Sequence, residues 1–117
     1  MLALGPWEAG YAVYYSEGVM SGVARTRQIA PQPCMVAYTH ARDADMGALW
    51  LRVAGTAGMV DCLVSDLPRP GQDKQNLIRR GIVIELNWES RWLCGPHWTG
   101  NARECKVSVI PIRRQLK

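Results

Sequence analysis

The sequence predicts a mainly β fold, a small six-stranded barrel with one or two short helices in its crossovers. Three observations predict it. The apolar runs are short, rich in Val and Ile, and bounded by Gly, Pro or Asp, which is how strands of a compact β domain read. Two segments between these runs have apolar residues at helical spacing. The 117 residues, 48% of them hydrophobic and 21% charged, supply one core but not two, so all six strands must share it. A strand, a helix, and then strands with one further helix among them suits a barrel with long crossovers better than a simple sandwich.

Taken in order, the first strand is Tyr11–Tyr15. In "SEGVMSGVARTRQI" Ser16 can cap a helix that sets Val19, Met20, Val23 and Ala24 on one face. Strands follow at Met35–Tyr38, Leu49–Gly55 and Val60–Leu67. The segment "DKQNLIRR" reads as a second helix, capped by Asp73, with Leu77 and Ile78 turned inward and Gly81 ending it. The fifth strand is Ile82–Trp88, a short turn covers Glu89–Leu93, and Lys106–Ile112 is the last strand. No internal repeat, low-complexity segment or linker divides the chain, so residues 1–117 read as one domain with its barrel core at about 11–112.

A formal charge of +4 and a sequence pI of about 9.1 bias the surface mildly toward polyanions, among them nucleic acid, anionic lipid and the acidic peptides of bacterial cell wall. The basic residues fall in separate groups, Arg25 with Arg27, Arg79 with Arg80, and Arg113 with Arg114 and Lys117. That scatter argues against nucleic acid as a partner and for solvated surface. No apolar run is long enough for a membrane span. The opening "MLALGPWEAG" has neither the basic start nor the apolar core of a secretory signal, so an exported protein would have lost its signal or left by another route. Cys34, Cys62, Cys94 and Cys105 permit two disulfides in any of three pairings outside a cytosol, or four buried thiols within one. No C-x-x-C occurs, and His40 and His97 are not spaced as zinc partners, so no metal or other cofactor is expected.

Strict alternation along Val60–Leu67 puts Val60, Cys62, Val64 and Asp66 on one face. Asp66 would then end an apolar row where Pro68 stops the ladder, a place where desolvation raises a carboxyl's proton affinity. The alternative is that Asp66 caps the Pro-Arg-Pro turn or pairs with Arg69. Along Ile82–Trp88 the same alternation sets Glu85 apart from Ile82, Ile84, Leu86 and Trp88. Glu85 could share a cleft with Asp66 and separate their two pKa values, or be neutralised by Arg79 or Arg80. With 5 Trp and no Phe, Trp50 and Trp88 are expected to fill core, and Trp7, Trp92 and Trp98 to offer a platform for sugar or protein.

These two strands carry a resemblance. "CLVSDLPRPG" followed by "RRGIVIELNW" resembles the paired signature of double-psi β-barrels of the rare lipoprotein A, barwin and expansin type: a strand ending in Asp, a Pro-containing loop, then an apolar, acidic, Leu strand. The opening "YAVYYSEGVMSGVA" is similar to that family's first strand, with Tyr14 and Tyr15 where an aromatic pair is common. "CMVAYTHARDADMGALWLRV" is similar to its small-residue strand, which usually ends in a His; Tyr38 stands there in this chain, with His40 two residues on. Glu85 replaces the family's usual Asp.

The resemblance implies a six-stranded double-psi barrel acting on peptidoglycan or another polysaccharide without a cofactor. In its lytic transglycosylase members an Asp at the position of Asp66 protonates the glycosidic oxygen and then takes the muramic 6-hydroxyl proton, closing a 1,6-anhydro ring; a second carboxylate would instead admit water. The site set expected on that basis is Asp66, Glu85, Tyr15 and His40 for chemistry, and Tyr14, Tyr38, Arg69, Arg80 and Trp92 for substrate. The place of work would be extracellular, the cell envelope or a virion. The competing expectation is a barrel without turnover, a carbohydrate-binding or structural component of a phage particle or other assembly.

Overall fold

The computed structural model describes residues 5–115; Met1–Leu4, the start of the opening read for a secretory signal, and the basic Lys117 lie outside them. The strands are β1 (Glu8–Tyr14), β2 (Met35–Tyr38), β3 (Leu49–Gly55), β4 (Gly58–Asp66), β5 (Ile82–Leu86) and β6 (Lys106–Arg114), with helices α1 (Val19–Thr26) and α2 (Gln72–Arg79). They close into a barrel in the order β1-β5-β2-β4-β3-β6. β1 runs parallel to β5 and β2 parallel to β4, while the other four pairs are antiparallel. Parallel neighbours cannot be joined by a tight turn. The chain leaves β1 through α1 and β4 through α2, so both expected helices sit in crossovers. Closure gives every strand two partners, leaving no free edge.

The inward row is aliphatic: Val36, Leu51, Val53, Val64, Ile84, Leu86, Val107 and Val109 are buried, with Leu93 from a 3-10 turn at Trp88–Cys94 closing one end. Two disulfides join this core, Cys34–Cys62 between the residue just before β2 and the neighbouring strand β4, and Cys94–Cys105 between the 3-10 turn and the residue just before β6. Of the three pairings open to the sequence, that is the one the fold selects. The tryptophans expected in the core are not there. Trp50 and Trp88 are half-buried, each under a guanidinium: Arg113 lies 4.4 Å from the Trp50 ring centre and Arg91 3.3 Å from that of Trp88. Trp98, expected as platform, instead packs on the core and meets Tyr14 edge to face at 4.8 Å.

Both helices begin differently from their expected caps. α1 follows Gly18 in a left-handed conformation (φ 82°) rather than being capped by Ser16, and it buries Met20 and Ala24 while Val19 is exposed. Met35 completes that small cluster and holds α1 against the barrel. α2 follows Gly71 and buries no residue; Ile78 is exposed and Leu77 half-buried. Its inward face has no core to meet, because it looks onto a groove. Short 3-10 turns at Asp43–Asp45 and Ala102–Glu104 have no counterpart among the elements the sequence predicts.

Candidate functional site

The site is built on a backbone irregularity. β2 and β4 pair Val36 with Val64 and then Ala37 with Asp66, so Ser65 is an extra residue in β4. Such a bulge bends the strand and re-aims the side chains beyond it. Strict alternation would have sent Asp66 inward after Val64; with Ser65 inserted, Leu67 packs against the core instead and Asp66 shares a face with Ala37. On the other side of β2, Ala37 pairs with Glu85 of β5. Asp66, Ala37 and Glu85 thus form one cross-strand row, with the small side chain of Ala37 between two carboxyl groups. Their Cα atoms are two strand spacings apart, roughly 10 Å.

Asp66 and Glu85, the two ends of the row, line a groove of about 940 Å³. Tyr15, at the end of β1, and Arg27, just after α1, stand beside Asp66; the Leu67–Pro70 loop and α2 form a wall; Thr39, Ala41 and Arg42 form the opposite rim. The Pro-rich stretch after β4 therefore lines the groove, as Pro68 and Pro70 prevent the strand from continuing.

Asp66 is held from two sides. The Tyr15 hydroxyl donates to Oδ2 at 2.7 Å and Arg27 Nη2 donates to Oδ1 at 2.9 Å. Burial, together with the bond to Asp66, holds the Tyr15 phenol protonated far above its ordinary range, so it acts as a donor throughout. Arg27 is aimed by the end of α1, where Ile29 N bonds back to Ala24 O and Gln28 takes a left-handed conformation (φ 59°) more often given to Gly. Glu85 differs in kind. Burial, and secondarily the charge of Asp66, push its carboxyl up to about 7. The groove thus contains one carboxyl group pinned by two donors and one poised to exchange a proton near neutrality.

Not every residue expected at the site is there. Asp66, Glu85, Tyr15 and Arg69 line the groove, and Arg69 is an exposed partner of Asp73 rather than of Asp66. His40 turns away to Glu8, with Nε2 2.9 Å from Oε2. Tyr38 donates to the same carboxyl at 3.3 Å, and burial pushes its phenol up to about 12. Tyr14 faces Trp88 and Trp98, on the other side of its strand from Tyr15. Arg80 is exposed beyond α2, and Trp92 borders a different cavity. The residue that the sequence did not point to is Arg27, which is 39 positions from Asp66. Among the described residues no group of three or more His, Cys, Asp or Glu is placed to hold a metal ion, and no helix is long and apolar enough to cross a membrane.

Closed order, two parallel pairs and helical crossovers define the class: the fold is a six-stranded double-psi β-barrel of the expansin and rare lipoprotein A type. A crystal structure of an apo expansin from Clavibacter michiganensis is similar to it, with a TM-score of 0.58 and 22% sequence identity over 96% of this chain and 53% of that one. The chain therefore spans about half the length of that expansin, and the likeness is one of fold. No family model matches the sequence, and no curated protein matches it significantly.

Proposed function

We propose that this barrel acts on cell-wall polysaccharide, cleaving glycan strands in the groove between Asp66 and Glu85. The observation that carries the proposal is the cross-strand row, two carboxyl groups either side of Ala37 with Glu85 raised to about 7. Such a pair divides the labour of glycoside cleavage. Protonated Glu85 donates to the glycosidic oxygen as the C–O bond breaks, and the Asp66 carboxylate faces the positive charge that develops at the sugar ring. The proton is assigned to Glu85 rather than Asp66 because both Asp66 oxygens already accept bonds. Glu85, now a carboxylate, then takes a proton from the attacking oxygen. If that is the muramic 6-hydroxyl, the product is a 1,6-anhydro sugar; if it is water, hydrolysis results. The two disulfides support a place of work outside a reducing cytosol, in the cell envelope, in the extracellular medium or on a virion.

The test is digestion of peptidoglycan sacculi by the parent protein, Asp66→Asn and Glu85→Gln, with mass spectrometry of the soluble products. Anhydro-muropeptides from the parent alone identify a lytic transglycosylase, and hydrated reducing ends a hydrolase. No release by a folded parent protein that still sediments with sacculi would overturn cleavage. It would leave a polysaccharide-binding barrel, a reading favoured by the way Tyr15 and Arg27 occupy Asp66.

A further inference from the structure

The two crossover helices are fixed to the barrel in different ways. α1 buries Met20 and Ala24 against Met35. α2 buries no residue: Lys74 and Leu77, three apart and so on one face, are half-buried, and its other residues are exposed. Both of these residues line the groove that holds Asp66 and Glu85. A segment with so little buried apolar surface has little to hold it in place.

The polar bonds of α2 turn back on itself. Arg69 Nε lies 3.1 Å from Asp73 Oδ2, and Gln72 Nε2 donates to Asn76 Oδ1 at 3.0 Å. The backbone N–H groups of Gln75, Arg80 and Gly81 donate to the carbonyls of Gly71, Asn76 and Ile78. Each of these bonds stays within the segment, so the helix keeps them if it moves as one body. Its ends are both glycine at positive φ, Gly71 at 91° and Gly81 at 71°. A Cβ at Gly71 would meet nothing within 4 Å, so the backbone there turns in open space. Gly81 O accepts from Tyr11 N at 2.9 Å, which is where the chain is tied back to the barrel. A few residues at the ends of an element can absorb the φ/ψ change of a hinge motion, and glycine does so at the least steric cost.

We propose that α2 is a lid on the groove, hinged at Gly71 and Gly81 and seated on the barrel through Leu77. The seat is loose. Leu77 also borders a pocket of about 20 Å³, lined with it by Thr39, Ile82, Ile84 and Glu85, so the leucine leaves a gap of the size of a single water. Raised, the lid opens the groove from the side; lowered, it keeps water from Glu85, and that second role rests on the reading of the groove as a cleavage site. The motion itself is a property of the fold, is measured without substrate, and stands if cleavage fails.

The test is ¹⁵N relaxation dispersion on the intact, disulfide-bonded protein, comparing the parent with Leu77→Ala and Ile78→Ala. The amides of residues 72–81 should share one exchange process in the microsecond to millisecond range of lid motions, with none in α1. Leu77→Ala should raise the open population about fivefold, the effect of losing roughly half a leucine's burial. Ile78→Ala, one residue on and exposed, should leave it within about twofold. Flat profiles across residues 72–81, or exchange shared equally by α1 and the barrel strands, would overturn the lid. Shift differences matching an unstructured chain would mean that α2 melts rather than swings, and would overturn the hinge. Equal effects of the two variants would overturn the seat at Leu77. Leu77 lies outside the barrel core, so its variant is read on a folded protein, checked by unshifted amide signals in the strands.

Discussion

Glu85→Gln should make the protein more stable above neutral pH while abolishing glycan cleavage. On folding, burial and the neighbouring Asp66 charge raise the Glu85 carboxyl from 4.5 to about 7. At about 1.4 kcal/mol per tenfold change in proton affinity, ionised Glu85 would cost the fold roughly 3 kcal/mol. The side chain keeps some contact with solvent, which screens the charge and brings the expected cost to about 2 kcal/mol. The sign follows from proton binding. Between about pH 4.5 and 7 the folded state holds the proton that the unfolded state has released, so stability falls as pH rises through this window and is level above it. A glutamine cannot ionise and removes that slope. Urea unfolding of parent and variant across pH 4 to 8, with disulfides intact, should therefore give a difference that grows by about 2 kcal/mol in the variant's favour from pH 4.5 to 7.5. Groups common to both proteins cancel in the difference. A difference constant over this range, or one growing toward acid, would refute the claim that Glu85 is desolvated beside a charged Asp66.

Three further outcomes are expected. Tyr15→Phe removes the donor to Asp66 Oδ2 and should cost about 2 kcal/mol, as for a bond to a charged acceptor, lowering the midpoint of urea unfolding and slowing sacculus digestion. Gly55→Ala places a Cβ 2.4 Å from the Leu93 carbonyl oxygen; backbone must move on both sides of that contact, so a loss of about 1–3 kcal/mol is expected by thermal unfolding, whereas Gly71→Ala, with nothing near its Cβ, tests backbone strain alone. Replacing Cys34 and Cys62 together by Ala opens a cross-link of sequence separation 28 and should cost roughly 3 to 4 kcal/mol through the freedom returned to the unfolded chain, read as a fall in the unfolding midpoint of the double variant.

Six strands and two helices were legible in the sequence because each carries its own period, two for the strands and 3.6 for the helices, and Gly and Pro punctuate them. The resemblance at Val60–Trp88 added the barrel type, and Asp66 and Glu85 stood out because a carboxyl in or at the end of an apolar strand needs a reason. What local pattern cannot carry is pairing. Alternation pointed Asp66 inward, and only the register of β4 against β2 makes Ser65 a bulge and turns the carboxyl into the groove. Closure of the barrel likewise decided that Cys34 meets Cys62, that Arg27 reaches Asp66, and that His40 is drawn to Glu8 instead. The tryptophans depart from the sequence expectation for a related reason: hydrophobicity says that a ring must be partly covered, but whether core or a stacked arginine covers it depends on which side chain lies alongside. The sequence by itself determined the elements and the chemical groups on offer, since those depend on neighbours along the chain. The tertiary structure decided that the Glu85 carboxyl is raised, because desolvation and the charge of a partner 19 residues away exist only once β2 has come to lie between β4 and β5.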